Sequence, residues 1–163
     1  MSGFKNSLSN LNKPMRSSIC KKFWLGVALL ISGCSGERPP HLGSVNSHLA
    51  DCPLTPNCVS SFSKDPEHQI SLLQFASTPE QLIEDLKTIL HETEEAHIIT
   101  IGEHYIYAEF TSKVFRFVDD VEFLLDPQTQ TLHFRSASRI GHSDLGVNRE
   151  RIETLKAALA QKG

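Results

Sequence analysis

The chain has 163 residues, with 16 basic and 19 acidic side chains and a formal net charge of −3. Lys5, Lys13, Arg16, Lys21 and Lys22 precede Cys34 while every acidic residue follows it, so residues 34–163 carry 11 − 19 = −8. Such a balance excludes the basic face that nucleic-acid phosphates require, and it excludes a polybasic hold on anionic lipid.

From the amino terminus, Lys21 and Lys22 precede the apolar run FWLGVALLI, Phe23 to Ile31, followed by Ser32, Gly33 and Cys34. The run falls short of the roughly 20 residues a spanning helix needs, and it matches the charged, apolar and small-residue regions of an export signal. Its last residues, ISGC, resemble the lipobox of bacterial lipoproteins, in which the cysteine sulfur receives a diacylglycerol and the preceding chain is removed. The resemblance implies a signal peptide over residues 1–33 and a lipid anchor on Cys34 that ties the protein to a membrane. A signal beginning at Met15 has ordinary proportions, so Met15 is the expected start. Ser35 stands where Asp would favour the inner membrane, so the expected location is the outer membrane, facing the periplasm.

Residues 34–50 contain Gly, Pro and scattered polar residues without a period of 2 or 3.6, and are expected to be a flexible tether. Residues 51–163 suit one domain with one modest core. The segment from Asp51 to about Lys64 reads as a loop containing CPLTPNC, Cys52 to Cys58. In an oxidising compartment this cysteine pair is most simply a disulfide closing a small ring. Free thiols and a metal pair are the alternatives, although a structural zinc site wants four ligands and no second cysteine pair follows. HQISLLQF then reads as a short edge strand.

Thr78, Pro79 and Gln81 form a capping-box pattern ahead of an apolar stripe, Leu82, Ile83, Leu86, Ile89 and Leu90, which predicts an amphipathic helix. AHIITI and YIYAEFT follow as strands, the second alternating Ile106, Ala108 and Phe110 against Tyr105, Tyr107 and Glu109. KVFRFVDDVEFLL and TLHFRSAS flank a turn opened by Asp126-Pro127. A final helix begins near Asn148, a plausible cap, and presents Ile152, Leu155, Ala158 and Leu159 on one side. These elements predict an α+β fold, an antiparallel β-meander with helices packed on one face.

Pairing Leu125 with Leu132 across the Asp-Pro turn puts Phe123 opposite Phe134 and Val121 opposite Ser136. The other side then receives Leu124 with His133, Glu122 with Arg135, and Asp120 with Ala137, one step from Arg139. A one-residue slip would turn this set over. The arrangement is either a cross-strand salt-bridge ladder or a site where Arg135 and Arg139, with Arg116 nearby in sequence, offer forked donors to a carboxylate or phosphate, oriented by Asp119 and Asp120. The eight histidines show no metal-ligand spacing, and no cofactor motif occurs. Ser136, Ser138 and Ser143 near His133, His142 and Asp144 supply residue types for hydrolysis but no nucleophile-elbow motif.

CPLTPNCVSS with His68 downstream, FVDDVEF, and RSASRIGHSDLGVNRERIETL resemble the family known as domain of unknown function 1499, over about Asp51 to Leu159. The resemblance implies a small exported or membrane-attached domain, and it attaches no activity. The family pattern falls on Cys52, Cys58, Asp119, Asp120, Arg135, Ser136, Ser138, Arg139, Asp144, Asn148 and Arg151, among others. The expectation is therefore a non-enzymatic envelope lipoprotein binding a small anionic or polar ligand, or a partner protein, through Asp119, Asp120 and the stretch from Arg135 to Asn148. A Ser- or Cys-dependent hydrolase of envelope material and a purely structural component are the alternatives.

Overall fold

A computed structural model describes residues 35–162, so the export signal, the expected start at Met15 and Cys34 lie outside the described residues. In chain order the elements are β1 (Ser44–Val45), β2 (His48–Leu49), β3 (Cys58–Ser60), β4 (Leu73–Gln74), α1 (Pro79–Glu92), β5 (Ala96–Ile101), β6 (Tyr105–Thr111), β7 (Val118–Asp126), β8 (Thr131–Ser138) and α2 (Val147–Ala160). Strands β5 to β8 form the predicted antiparallel meander, extended at the β8 edge in the order β3-β8-β7-β6-β5. The β7–β8 register is the one read from the sequence, with Leu125 opposite Leu132, Phe123 opposite Phe134 and Glu122 opposite Arg135. It is held by apolar side chains of one parity and by the Asp126 carboxylate, which accepts the Gln128 N–H at 2.9 Å and tightens the turn.

One face of the sheet carries the core. Ile106, Ala108, Phe110, Val121, Phe123, Leu132 and Phe134 pack against Leu82, Leu86 and Leu90 of α1 and Ile152, Leu155 and Leu159 of α2. Both helices lie on this side, so the architecture is α+β as expected. The Thr78 hydroxyl accepts the Gln81 N–H at 3.3 Å, but the Gln81 amide turns forward to Asp85 instead of closing the capping box.

Four details differ from the sequence reading. The segment expected as a loop around the cysteines contains β3, paired antiparallel with residues 135–137 of β8. The edge strand expected over HQISLLQF shrinks to the two residues of β4, paired with Leu132 and Thr131. Two short strands thus cover the outer edge of β8 end to end, and neither is long enough to show a period. Strand β7 starts at Val118, because Lys113–Phe117 form a turn in which the Ser112 hydroxyl accepts the Phe117 N–H and Arg116 has φ +57°. Asn148 is not the cap of α2. Gly146 holds the cap position at φ +86°, and the Asp144 carboxylate accepts the N–H groups of Gly146 and Asn148.

The expected tether is also laid down on the domain. Strands β1 and β2 form a hairpin whose turn residues, Asn46 and Ser47, both have positive φ, as the tightest two-residue hairpin turns require. Leu49 is fully buried, and the Gly43 N–H donates to Glu122 at 2.8 Å. Residues 38–49 therefore cross the sheet face that the helices leave open.

Candidate functional site

Strand alternation places Tyr105, Tyr107 and Glu109 of β6, Asp120 and Glu122 of β7, and Arg135 of β8 on that second face, with Arg139 just past the end of β8. Glu122 and Arg135 pair at 3.2 Å with side chains 0% and 3% exposed. The Glu122 oxygen not facing Arg135 accepts the Tyr105 hydroxyl and the Gly43 N–H, each at 2.8 Å. Arg139 straddles Asp120, with Nε 3.0 Å from both carboxylate oxygens, and also bonds Glu109. The Tyr107 hydroxyl donates to Asp120 at 2.6 Å, and Arg38, from the crossing segment, meets Glu109 at 2.5 Å over the Tyr107 ring.

Three carboxylates thus face three guanidiniums. Burial and then the neighbouring Glu122 carboxylate push the Tyr105 hydroxyl well above its ordinary range, and burial with Asp120 does the same to Tyr107. Both therefore stay hydrogen-bond donors. Burial alone would raise Glu109, but hydrogen bonds from Arg139, Arg38 and Tyr107 outweigh it and hold the carboxyl low. The face is closed in charge, as buried ionic groups must be.

It is not filled. A cavity of about 400 Å³ lies between this network and the disulfide ring, lined by Pro39, His41, Asp51, Cys52, Asp120, Arg135 and Arg139, among others. The Nε of Arg135 is buried and has no hydrogen-bond partner among the described residues. Cys52 and Cys58 form the expected disulfide, and the ring is anchored twice. His68 Nδ1 donates to the Cys58 carbonyl at 2.9 Å, and the Asn57 amide donates to the carbonyls of Ser138 and Gly141.

The residues expected to form one ligand site divide between the two faces. Asp120, Arg135 and Arg139 belong to the second face, whereas Asp119, Ser136 and Asn148 meet on the helix side. There Asn148 is fully buried. Its amide donates to the Asn57 carbonyl at 3.1 Å and the Ser138 hydroxyl at 3.0 Å, and its oxygen accepts the Ser136 hydroxyl. Arg151 donates to Asn148 and Ser136, and to Asp119 at 2.6 Å. Asp119 therefore orients Arg151 rather than Arg135 or Arg139, because consecutive residues of a strand point to opposite faces. Asp144 caps α2, and Arg116 lies exposed in the β6–β7 turn. Tyr105, Tyr107, Glu109 and Arg38 are site residues that the sequence reading missed. Extending the register by one strand would have placed the first three, whereas nothing in the sequence pairs Arg38 with a residue 71 positions away.

A larger cavity, about 520 Å³, opens on the helix side between the β6–β7 turn and α2, but its guanidinium, Arg151, is committed to Asp119, Ser136 and Asn148. For hydrolysis, the disulfide withholds the Cys58 thiolate, and the Ser136 hydroxyl donates to an amide. Ser61 and His133 do approach, Oγ to Nδ1 at 3.1 Å, but the other ring nitrogen faces the Thr131 hydroxyl at 3.4 Å, where a catalytic triad would place a carboxylate. Among the described residues no group of three His, Cys, Asp or Glu is placed to hold a metal ion.

His133 stacks on Phe62, ring centroids 4.2 Å apart. Burial lowers its pKa, outweighing the nearby Asp126 charge, and His48 adds to the lowering. The folded protein then binds this proton less readily than the unfolded chain. The neutral ring contributes stability that is present above the ordinary histidine pKa of about 6.5 and is lost as pH falls from there through the depressed value. His133→Phe should therefore flatten the fall in urea midpoint between neutral and mildly acid pH. An unchanged slope would show that other groups set it.

The described part of the chain is thus an α+β domain with a disulfide-closed polar face, and no helix in it is long and apolar enough to cross a membrane. Residues 48–159 match the family described as protein of unknown function (DUF1499), and the chain belongs to that family. No curated protein and no solved structure matches it significantly.

Proposed function

We propose that the protein is an exported lipoprotein of the bacterial envelope, anchored through Cys34 and facing the periplasm, whose domain binds a small polar or anionic ligand in the cavity over Arg135. The observation that carries the binding reading is that Arg135, which lines a 400 Å³ space, keeps a buried Nε without a hydrogen-bond partner among the described residues. A buried guanidinium N–H without an acceptor costs about 1–3 kcal/mol, and a turn of the guanidinium toward an acceptor oxygen on a ligand in that space would recover the energy. Ligand pockets commonly fall at about 300–1,000 Å³. Because carboxylates already balance the guanidiniums here, the fit is to a compact ligand with one carboxylate, or with a neutral acceptor oxygen, rather than to a multiply charged anion. The pairing of each arginine on this face with an acid supports a second reading, a structural envelope component whose polar face is only a ladder of ion pairs.

Native mass spectrometry of protein purified from its own membranes separates these readings. The expected result is a retained small molecule in the wild type that is lost in Arg135→Lys, which keeps the charge but not the fork. Wild-type protein carrying only polypeptide and lipid mass would favour the structural reading. Labelled palmitate entering the wild type but not Cys34→Ala is the expected result for the anchor, and no incorporation would remove it.

A further inference from the structure

Among the described residues, nine large apolar side chains are exposed, and five of them, Val114, Phe115, Phe117, Leu145 and Val147, belong to the β6–β7 turn and to the turn that leads into α2 with its first residue. Those two segments share one end of the domain, since Lys113 and Val147 line the same cavity. The side chains of Val114, Phe115 and Leu145 are 79%, 69% and 94% exposed, and the rings of Phe115 and Phe117 stack at 5.6 Å. Scattered exposed apolar residues need no explanation, but a cluster carried by two turns marks a contact surface.

The course of the chain says what covers it. A Cβ added to Gly36 would lie 3.0 Å from Arg139 Cβ and Ile140 Cγ2, and the Arg139 N–H donates to the Val118 carbonyl. Gly36 therefore packs at the end of the domain that carries the apolar cluster. Cys34 lies two residues before Gly36, a link of at most about 7 Å. Of the cations in this turn, Lys113 is paired with Glu94 and Glu95, and Arg116 alone is exposed without an ion pair among the described residues, so charge gives at most a single hold on anionic lipid.

We infer that this end of the domain docks into the bilayer that carries the anchor, with Phe115, Phe117, Val114 and Leu145 inserted at the headgroup and upper acyl level. This rests on the lipoprotein reading of Cys34. Two acyl chains suffice to hold a protein on a membrane, so the inserted tip acts on orientation. It stands the sheet on end and puts the cavity beside Arg139 close to the membrane surface.

The single tryptophan, Trp24, precedes Cys34, so a processed protein has none and an introduced tryptophan reports alone. Phe115→Trp probes the tip, and Gln128→Trp, in the β7–β8 turn, probes the opposite end of the strands. Each lipidated protein would be reconstituted in phosphatidylcholine vesicles with and without brominated acyl chains. Brominated lipid should quench the tip tryptophan roughly two-fold, as for a ring about 5–10 Å into the boundary, and leave the tryptophan at 128 unchanged. If neither residue is quenched while the protein floats with the vesicles, docking is wrong and the anchor stands. Equal quenching of both overturns the end-on orientation. Protein that carries no lipid and does not float removes the lipoprotein reading, and this inference with it.

Discussion

Glu122→Ala should lower the unfolding free energy by about 3–5 kcal/mol, because it leaves the Arg135 guanidinium charged, buried and without its carboxylate. Glu122 is the junction of the second face. Its two oxygens serve Arg135, Tyr105 and the backbone of Gly43, and the side chain is fully buried. Glu122→Gln keeps an acceptor for Tyr105 and Gly43 but sets its NH2 against the Arg135 guanidinium, so it loses the charge and the bond to Arg135 and should cost less than alanine only by the two acceptor bonds it keeps. A double variant, Glu122→Leu with Arg135→Met, removes the charge and its partner together, and hydrophobic replacement of a buried pair is often close to neutral. The expected pattern is a large loss for Glu122→Ala and a substantial recovery in the double variant, read as urea midpoints with unchanged slope. A loss under about 1 kcal/mol for Glu122→Ala would mean that the pair behaves as an exposed one.

Asn148→Ala is the second large effect, at about 2–4 kcal/mol, through the loss of acceptors and donors that bury polar groups of three separate segments. The Ser138 hydroxyl loses its donor and the Ser136 hydroxyl its acceptor, the Asn57 carbonyl keeps only the Ser138 N–H, and Arg151 loses one of its acceptors. Alanine is the best helix former, so helix propensity alone would make this substitution slightly favourable. Asn148→Asp keeps the oxygen that serves Ser136 and Arg151 but sets its other oxygen against the Asn57 carbonyl, so it should cost at least as much as the two donated bonds it loses. A change of under about 1 kcal/mol in Asn148→Ala would mean that the groups it serves find other partners at little cost.

Much of the domain was legible from local pattern. The α1 cap, the four meander strands and the β7–β8 register depend on residues a few positions apart, and a buried face makes register a strong constraint. The cysteine pairing was expected from the oxidising compartment an export signal implies, and the short spacing keeps the two ends close enough to join. Arg151 was legible only as a position of the family pattern, and its partner on the sheet, Asp119, was not. What escaped was set at a distance. Strands β1 to β4 have two or three residues each, too few for a period, and exist because β8 and the polar face offer them partners.

By itself the sequence determined the α+β meander and its register, since alternation and short turns settle neighbours along the chain. Tertiary structure alone decided that residues 38–49 seal the polar face, that Asp119 and Asp120 serve opposite sides of the sheet, and that Asn148 fastens helix to sheet. These are pairings across tens of residues, and a buried charge or amide takes whatever partner the packed fold brings to it, which no local pattern encodes.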